Sequence, residues 1–194
     1  MPASRFVWYE LMTPDVRAAE AFYPEVVGWK VDRSDPQYTL LEVGAAQVAG
    51  MMATPPELKA MGVPPAWSGY VSVDDVDAAE ARILQLGGKV VRPGSDIPDV
   101  GRFAVVADPQ GATFLLFKPA RNDPPARPAP DAPGTTGWHE LRAADGPAVF
   151  DFYARLFGWT RGEALDMGSM GVYQLFEVDG VPSGAVMTRE SGAT

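Results

Sequence analysis

Trp8-Tyr9-Glu10-Leu11, followed by Asp15, Ala18, Phe22-Tyr23 and Gly28-Trp29, is written again as Trp138-His139-Glu140-Leu141, Asp145, Ala148, Phe152-Tyr153 and Gly158-Trp159. Each pair is separated by the same 130 residues, the distance from Asp15 to Asp145. So ordered a self-match marks a duplicated structural unit. A fainter copy lies between them, because a shift of 60 residues carries Asp15, Ala18, Ala19 and Gly28 onto Asp75, Ala78, Ala79 and Gly88. Three copies of one small unit therefore organise the chain.

Phe6 to Met12 is a short apolar and aromatic stretch that reads as a strand. Thr13-Pro14-Asp15 then supplies a capping residue, a proline suited to the first turn and an acid suited to the positive end of a helix. Val16, Ala19, Phe22, Tyr23 and Val26 keep a helical spacing up to Gly28, a residue type that commonly ends helices in a left-handed conformation. Pro24 predicts a kink or an early end in that helix, since it removes a hydrogen bond and crowds the preceding turn. Tyr38 to Val43 and Gln47 to Met52 read as a hairpin about Gly44-Ala45, with Tyr173 to Val178 and Val181 to Met187 as counterparts about Asp179-Gly180. In the middle copy Trp67 to Val73 reads as a strand, Asp74 as a helix cap, and Val100 to Ala107 with Thr113 to Phe117 as a closing hairpin. Asp108-Pro109-Gln110-Gly111 fits a tight turn on backbone grounds alone. The repeating unit is thus strand, helix and three strands. Residues 1–118 are expected to form one domain of two units, 119–136 a proline-rich linker, and 137–194 a third unit on its own.

A net charge of −9 sets the surface against nucleic acid and anionic membranes, leaving a small molecule or another protein as partner. No apolar run is long enough to span a bilayer, and the first residues lack the apolar core of a secretory signal, so a cytoplasmic location is expected. The absence of cysteine removes disulfides, thiolate nucleophiles and sulfur-ligated metals, and imidazole chemistry is confined to one position, His139. His139 neighbours Trp138 and is expected on the opposite strand face in a structural role. The Met51-Met52 pair and Met187 read as strand packing.

Paired βαβββ units with Phe-Tyr on the first helix, then Gly-Trp, Val-Asp-Asp before the second helix and Asp-Pro-Gln-Gly before the last strand resemble the vicinal oxygen chelate superfamily. That group holds glyoxalases, extradiol dioxygenases and bleomycin-resistance proteins. Within it the chain is most similar to tandem glyoxalase-like proteins, whose usual form has four units. The resemblance implies an α+β fold in which paired modules form a cup-shaped, curled mixed sheet with helices outside, plus a third lone module. It also implies where a metal would be held: on the first strand of each module, at Trp8, Ser68 and Trp138, and on the last strand of the second, at Leu115. None of these is a metal ligand. No metal site and no cofactor is therefore expected, although an oxygen-only site for a divalent cation built on Glu10 stays open.

Strand alternation sets Trp8, Glu10 and Met12 on one face, Ser68 and Tyr70 on their equivalent, and Thr113, Leu115 and Phe117 on the closing strand. The resemblance makes these the lining of the cup and the candidate ligand-binding residues. Glu10 is the candidate catalytic residue, because a carboxylate among apolar walls has a raised pKa and can act as general base. Alternative readings remain: the side chains fill a small core, or the repeated glutamates Glu10 and Glu140 pair with Arg102 or Arg142 or reach solvent. Function then divides between metal-independent binding of a small molecule, a metal-dependent lyase, isomerase or dioxygenase, and a degenerate structural module. A lone third module would expose a concave face built from Trp138, Val172, Phe176 and Val186. Pairing with the same module of a second chain, in a homodimer, would cover it.

Overall fold

The computed structural model describes residues 4–121, 128 and 132–190. Its first copy runs β1 (Phe6–Thr13), α1 (Val16–Val27), β2 (Lys30–Asp32), β3 (Thr39–Val43) and β4 (Ala46–Ala53). A five-residue helix, α2 (Pro56–Ala60), leads to the second copy: β5 (Ala66–Ser72), α3 (Val76–Gln85), β6 (Lys89–Ile97), β7 (Gly101–Ala107) and β8 (Thr113–Pro119). The third comprises β9 (His139–Ala143), α4 (Gly146–Phe157), β10 (Thr160–Asp166), β11 (Val172–Val178) and β12 (Val181–Thr188). Each is the βαβββ module read from the sequence, in the mixed α+β class. The proline-rich stretch falls largely outside the described residues.

The repeated aspartates and alanines have one cause. Asp15, Asp75 and Asp145 are the N-caps of α1, α3 and α4, and each accepts a hydrogen bond from the backbone N–H three residues on, at Ala18, Ala78 and Ala148, over 2.9 to 3.0 Å. The middle cap is therefore Asp75 and not Asp74, because only the residue three before Ala78 can close this ring. Gly28 and Gly158 end α1 and α4 at φ 80° and 75°. Pro24 does not shorten α1, which continues to Val27, its carbonyl accepting from the N–H of Gly28. The Asp179-Gly180 turn takes positive φ at both residues, as its type requires.

The described residues fall into two compact units. One holds residues 7–70 with 132–136, and is the first module with its approach to the third; the other holds 4–6, 71–121 and 137–190. β5 divides between them after Tyr70.

In the single-module unit β4 lies parallel to β1 and antiparallel to β3, giving the strand order β2-β3-β4-β1-β5. Leu11, Leu41, Ala49 and Met51 form its buried centre, with Tyr9, Val16, Ala19, Tyr23, Trp29 and Val31 packed around them. Leu11 and Thr13 thus face α1, and Trp8, Glu10 and Met12 face the other way.

The two-module unit has one continuous core. Val71, Val76, Ile83, Val106, Phe114 and Leu116 of the second module are buried with Val149, Phe150, Phe152, Tyr153, Phe157 and Trp159 of the third. Tyr153 donates to the fully buried carboxylate of Asp108 over 3.1 Å, and the Gln110 side chain is bonded both ways to the backbone of Asp145. The Asp108-Pro109-Gln110-Gly111 turn therefore does more than reverse the chain. It is the polar latch on which the third module's helix docks.

The third module's sheet, ordered β10-β11-β12-β9, differs from expectation on one point. Trp138 and Val172 are exposed, whereas Phe176 and Val186 are buried on the helix side, Phe176 stacking on Trp159 at 4.4 Å. Along β11, Phe176 shares its sheet face with Gln174 and Val178, and the opposite face carries Tyr173 and Leu175.

Candidate functional site

Glu10 sits mid-β1 opposite Gly50 of β4, on the strand face turned away from α1. A β-carbon at position 50 would overlap the ring of Tyr38, so this glycine is the space in which that ring lies beside Glu10. The indole N–H of Trp8 donates to the Tyr38 hydroxyl over 2.9 Å, and that hydroxyl donates to Glu10 Oε2 over 3.0 Å. The Tyr70 hydroxyl, from β5, bonds Glu10 as well. Burial raises the Glu10 pKa, and the two tyrosine bonds oppose the rise without cancelling it. Burial and the adjoining carboxylate push the Tyr38 hydroxyl far above its ordinary range, so it stays a neutral donor. The result is a fixed relay, indole to phenol to carboxylate, aimed along one face of β1. A carboxylate held this way can accept a hydrogen bond or a proton from a molecule lying on that face.

The same relay is built a second time. Trp138 Nε1 donates to the Tyr173 hydroxyl over 2.7 Å, which donates to Glu140 Oε2 over 2.8 Å. Here the residue opposite the glutamate is Ala185 in place of glycine, and Glu140 is exposed. Neither glutamate takes an arginine among the described ion pairs. Arg102 is occupied by Asp77 and Asp96 at 2.8 and 3.1 Å. Tyr38, absent from the sequence-read site, had its signal in the repeat, since Tyr38 and Tyr173 begin equivalent hairpins.

Of the other candidates, Met12 and Ser68 are half-buried and Tyr70 is buried, all in the unit that holds Glu10. Thr113, Leu115 and Phe117 belong to the other unit, on the face of β8 opposite Phe114 and Leu116. His139 faces the helix layer: its ring stacks on Phe6 at 3.9 Å, Nδ1 lies 2.8 Å from the Ser183 carbonyl, and burial lowers its pKa.

The donor set does not fit a divalent metal. Around the one carboxylate stand an indole and two phenols already bonded to one another or to it. Among the described residues no three His, Asp or Glu side chains converge as metal ligands would. No helix among them is long and apolar enough to cross a membrane.

A family profile for the Glyoxalase-like domain matches residues 8–117, more than half of the chain. The chain belongs to the glyoxalase-like family. It thereby falls in the vicinal oxygen chelate superfamily that its repeats resemble. CFP32 of Mycobacterium tuberculosis, a protein named for a proposed glyoxylase activity, is 43% identical over 118 residues, covering 59% of this chain and 44% of its own. The anthracycline biosynthesis protein DnrV of Streptomyces peucetius is 32% identical, covering 85% of this chain and 63% of its own. DauV of Streptomyces sp. is 31% identical, covering 96% and 71%. This glyoxalase-like chain thus spans less than half the length of the mycobacterial relative. Among solved structures, a homoprotocatechuate 2,3-dioxygenase variant from B. fuscum superposes with TM-score 0.70 at 19% identity, over 96% of this chain and 54% of its own. A Mn(II)-bound glyoxalase from Novosphingobium aromaticivorans gives 0.65 at 18%, over 96% and 61%. At such identities the likeness is one of fold.

Proposed function

We propose that this glyoxalase-like protein binds a small, partly aromatic molecule on the Glu10 face of β1 without a resident metal. Glu10 acts as hydrogen-bond acceptor or general base, while Trp8, Met12, Ser68 and Tyr70 form the surrounding surface. The observation that carries this reading is the Glu10 carboxylate itself, half-buried and bonded to two tyrosine hydroxyls on the strand face turned away from α1. A carboxylate that only served solubility would sit in water. The names of the Streptomyces relatives direct the choice of probe to hydroxylated polycyclic aromatics.

Calorimetric titration with a hydroxylated anthraquinone and with catechol, beside metal analysis of the purified protein, tests this. Saturable binding of either probe, lost in Glu10→Ala and without stoichiometric metal, is expected. Stoichiometric nickel, zinc, iron or manganese that disappears with Glu10→Ala would replace this reading by a metal-dependent lyase, isomerase or dioxygenase. Absence of any binding would leave a structural module.

We also infer a homodimer through the third module. β1 lies between β4 and β5, while its repeat β9 ends its sheet order, next to an exposed Trp138. A monomer mass independent of concentration in ultracentrifugation refutes it.

A further inference from the structure

The repeat exposes a second site, on the helix side of the first module, that stands on observations separate from Glu10. In the two-module unit, Trp159 Nε1 donates to the Ser4 carbonyl over 2.7 Å, holding the approach to β1. Two residues on, the Phe6 ring lies on the His139 imidazole, with centroids 3.9 Å apart and planes 8° from parallel, and 5.8 Å from Trp159. In the single-module unit the equivalent bond runs from Trp29 Nε1 to the Gly134 carbonyl, also 2.7 Å. Ser4 and Gly134 are related by the repeat offset, as are His139 and Tyr9, Trp159 and Trp29. Phe6, however, corresponds to Thr136. Where one unit holds an aromatic ring, the other has a short hydroxyl side chain.

The space is not reclaimed. A half-open cavity of about 270 Å³ lies there, lined by Tyr9, Tyr23, Trp29, Trp67, Gly134 and Thr136 with two small residues of β4. Its walls are held in place from behind. Trp29 stacks on Tyr23 at 5.5 Å, and Trp67 donates to the Tyr23 hydroxyl over 2.7 Å. Gly134 has φ +85°, and a β-carbon there would press on Val43 and Trp29, so the approach segment is already seated as closely as its backbone permits. Apolar cavities of roughly 150 Å³ accept a benzene ring, so this one has room for one ring with substituents or two fused rings. The acidic surface disfavours an anion.

We propose that this slot binds a neutral, planar one- or two-ring aromatic molecule, taking between Tyr9 and Trp29 the position that the Phe6 side chain takes between His139 and Trp159. The molecule replaces an intramolecular ring that this copy of the repeat lacks.

p-Cresol is the probe, with 4-methylcyclohexanol as the non-planar control of similar size, followed by ligand-observed NMR titration and thermal unfolding of the full chain. p-Cresol should bind saturably and raise the Tm, and the control should do neither. Thr136→Phe should fill the slot from within, raise the Tm of the unliganded protein and weaken p-cresol binding by at least about tenfold. Thr136→Leu, which fills part of the same slot with a smaller group, should weaken it in the same direction, so the test survives if the larger variant does not fold. Absence of saturable p-cresol binding, equal binding of the non-planar control, or undiminished binding in both filled variants each overturns the proposal. So does a loss of binding in Glu10→Gln with retention in Thr136→Phe, which would assign the probe to the Glu10 face instead.

Discussion

Phe22 and Phe152 occupy the same position of the same repeated helix, yet Phe22 is 55% exposed and Phe152 only 4%. Their local chemistry is equal: both helices begin on an aspartate bonded to the N–H of the alanine three residues on, and both end on a left-handed glycine. The difference comes from what each helix meets within its own unit. α4 is buried against the second module, alongside α3 and the Asp108 turn, whereas α1 keeps Phe22 and Val26 open, Val26 at 63%. A repeated motif thus specifies capping, strand order and the Trp–Tyr–Glu relay, and leaves burial to the neighbours. Truncation should separate the two copies widely. Phe152→Ala is expected to cost about 3 to 5 kcal/mol, as for other fully buried aromatics, and Phe22→Ala under about 1 kcal/mol. Denaturant unfolding of the two variants measures the ratio, and equal losses would mean that α1 is covered as thoroughly as α4.

A finer contrast lies one residue along. The Tyr153 hydroxyl bonds the buried Asp108 carboxylate, while the Tyr23 hydroxyl accepts from Trp67 at an exposed edge. Asp108 Oδ1 also accepts from the N–H groups of Gln110 and Ala112, so its turn is already shaped by the carboxylate. Tyr153→Phe deprives Oδ2 of its donor in a site without water access, at about 1 to 3 kcal/mol, with no loss of ring volume. Tyr23→Phe leaves an indole N–H that solvent can satisfy, and should stay within about 0.5 kcal/mol. If Tyr153→Phe proves neutral in thermal unfolding, the Asp108 latch is not what secures α4.

The modules were legible in the sequence because cap, helix spacing and terminal glycine are local signals, each readable within a few residues. The middle cap was misplaced by one, since Asp74 and Asp75 are alike as residue types and only the spacing to Ala78 separates them. The site was half legible. Strand alternation sets Trp8, Glu10 and Met12 on one face, but Tyr38 enters through the parallel pairing of β1 with β4, which brings Gly50 opposite Glu10 and opens space for the phenol ring. A long-range register of that kind leaves no mark on neighbouring residues. The burial of Phe176 and Val186 was missed for a related reason: alternation separates two sheet faces without saying which one meets the helix.

The smallest expected difference concerns the two relays. At Glu10 folding makes protonation easier, because burial raises its pKa above the ordinary 4.5. Between that value and the raised one, the folded state binds more protons than the unfolded state. Stability contributed by this group is therefore full below pH 4.5 and is lost as pH rises through the folded pKa. Gln has the same shape, can still accept from Tyr38, and carries no charge to desolvate. Glu10→Gln should thus be slightly more stable than the natural protein at pH 7, by about 1 kcal/mol or less since the group is only half-buried and solvent screens it. The gain should vanish as pH is lowered toward 4.5. Glu140→Gln, made at the exposed copy, should change stability by no more than about 0.5 kcal/mol at pH 7 and serves as the control for altering the same relay. Thermal unfolding of the three proteins from pH 4 to 8 checks the sign. A Glu10→Gln protein that is less stable at pH 7 would mean that the two tyrosine bonds outweigh burial, leaving the carboxylate too well satisfied to take a proton from a ligand on the β1 face.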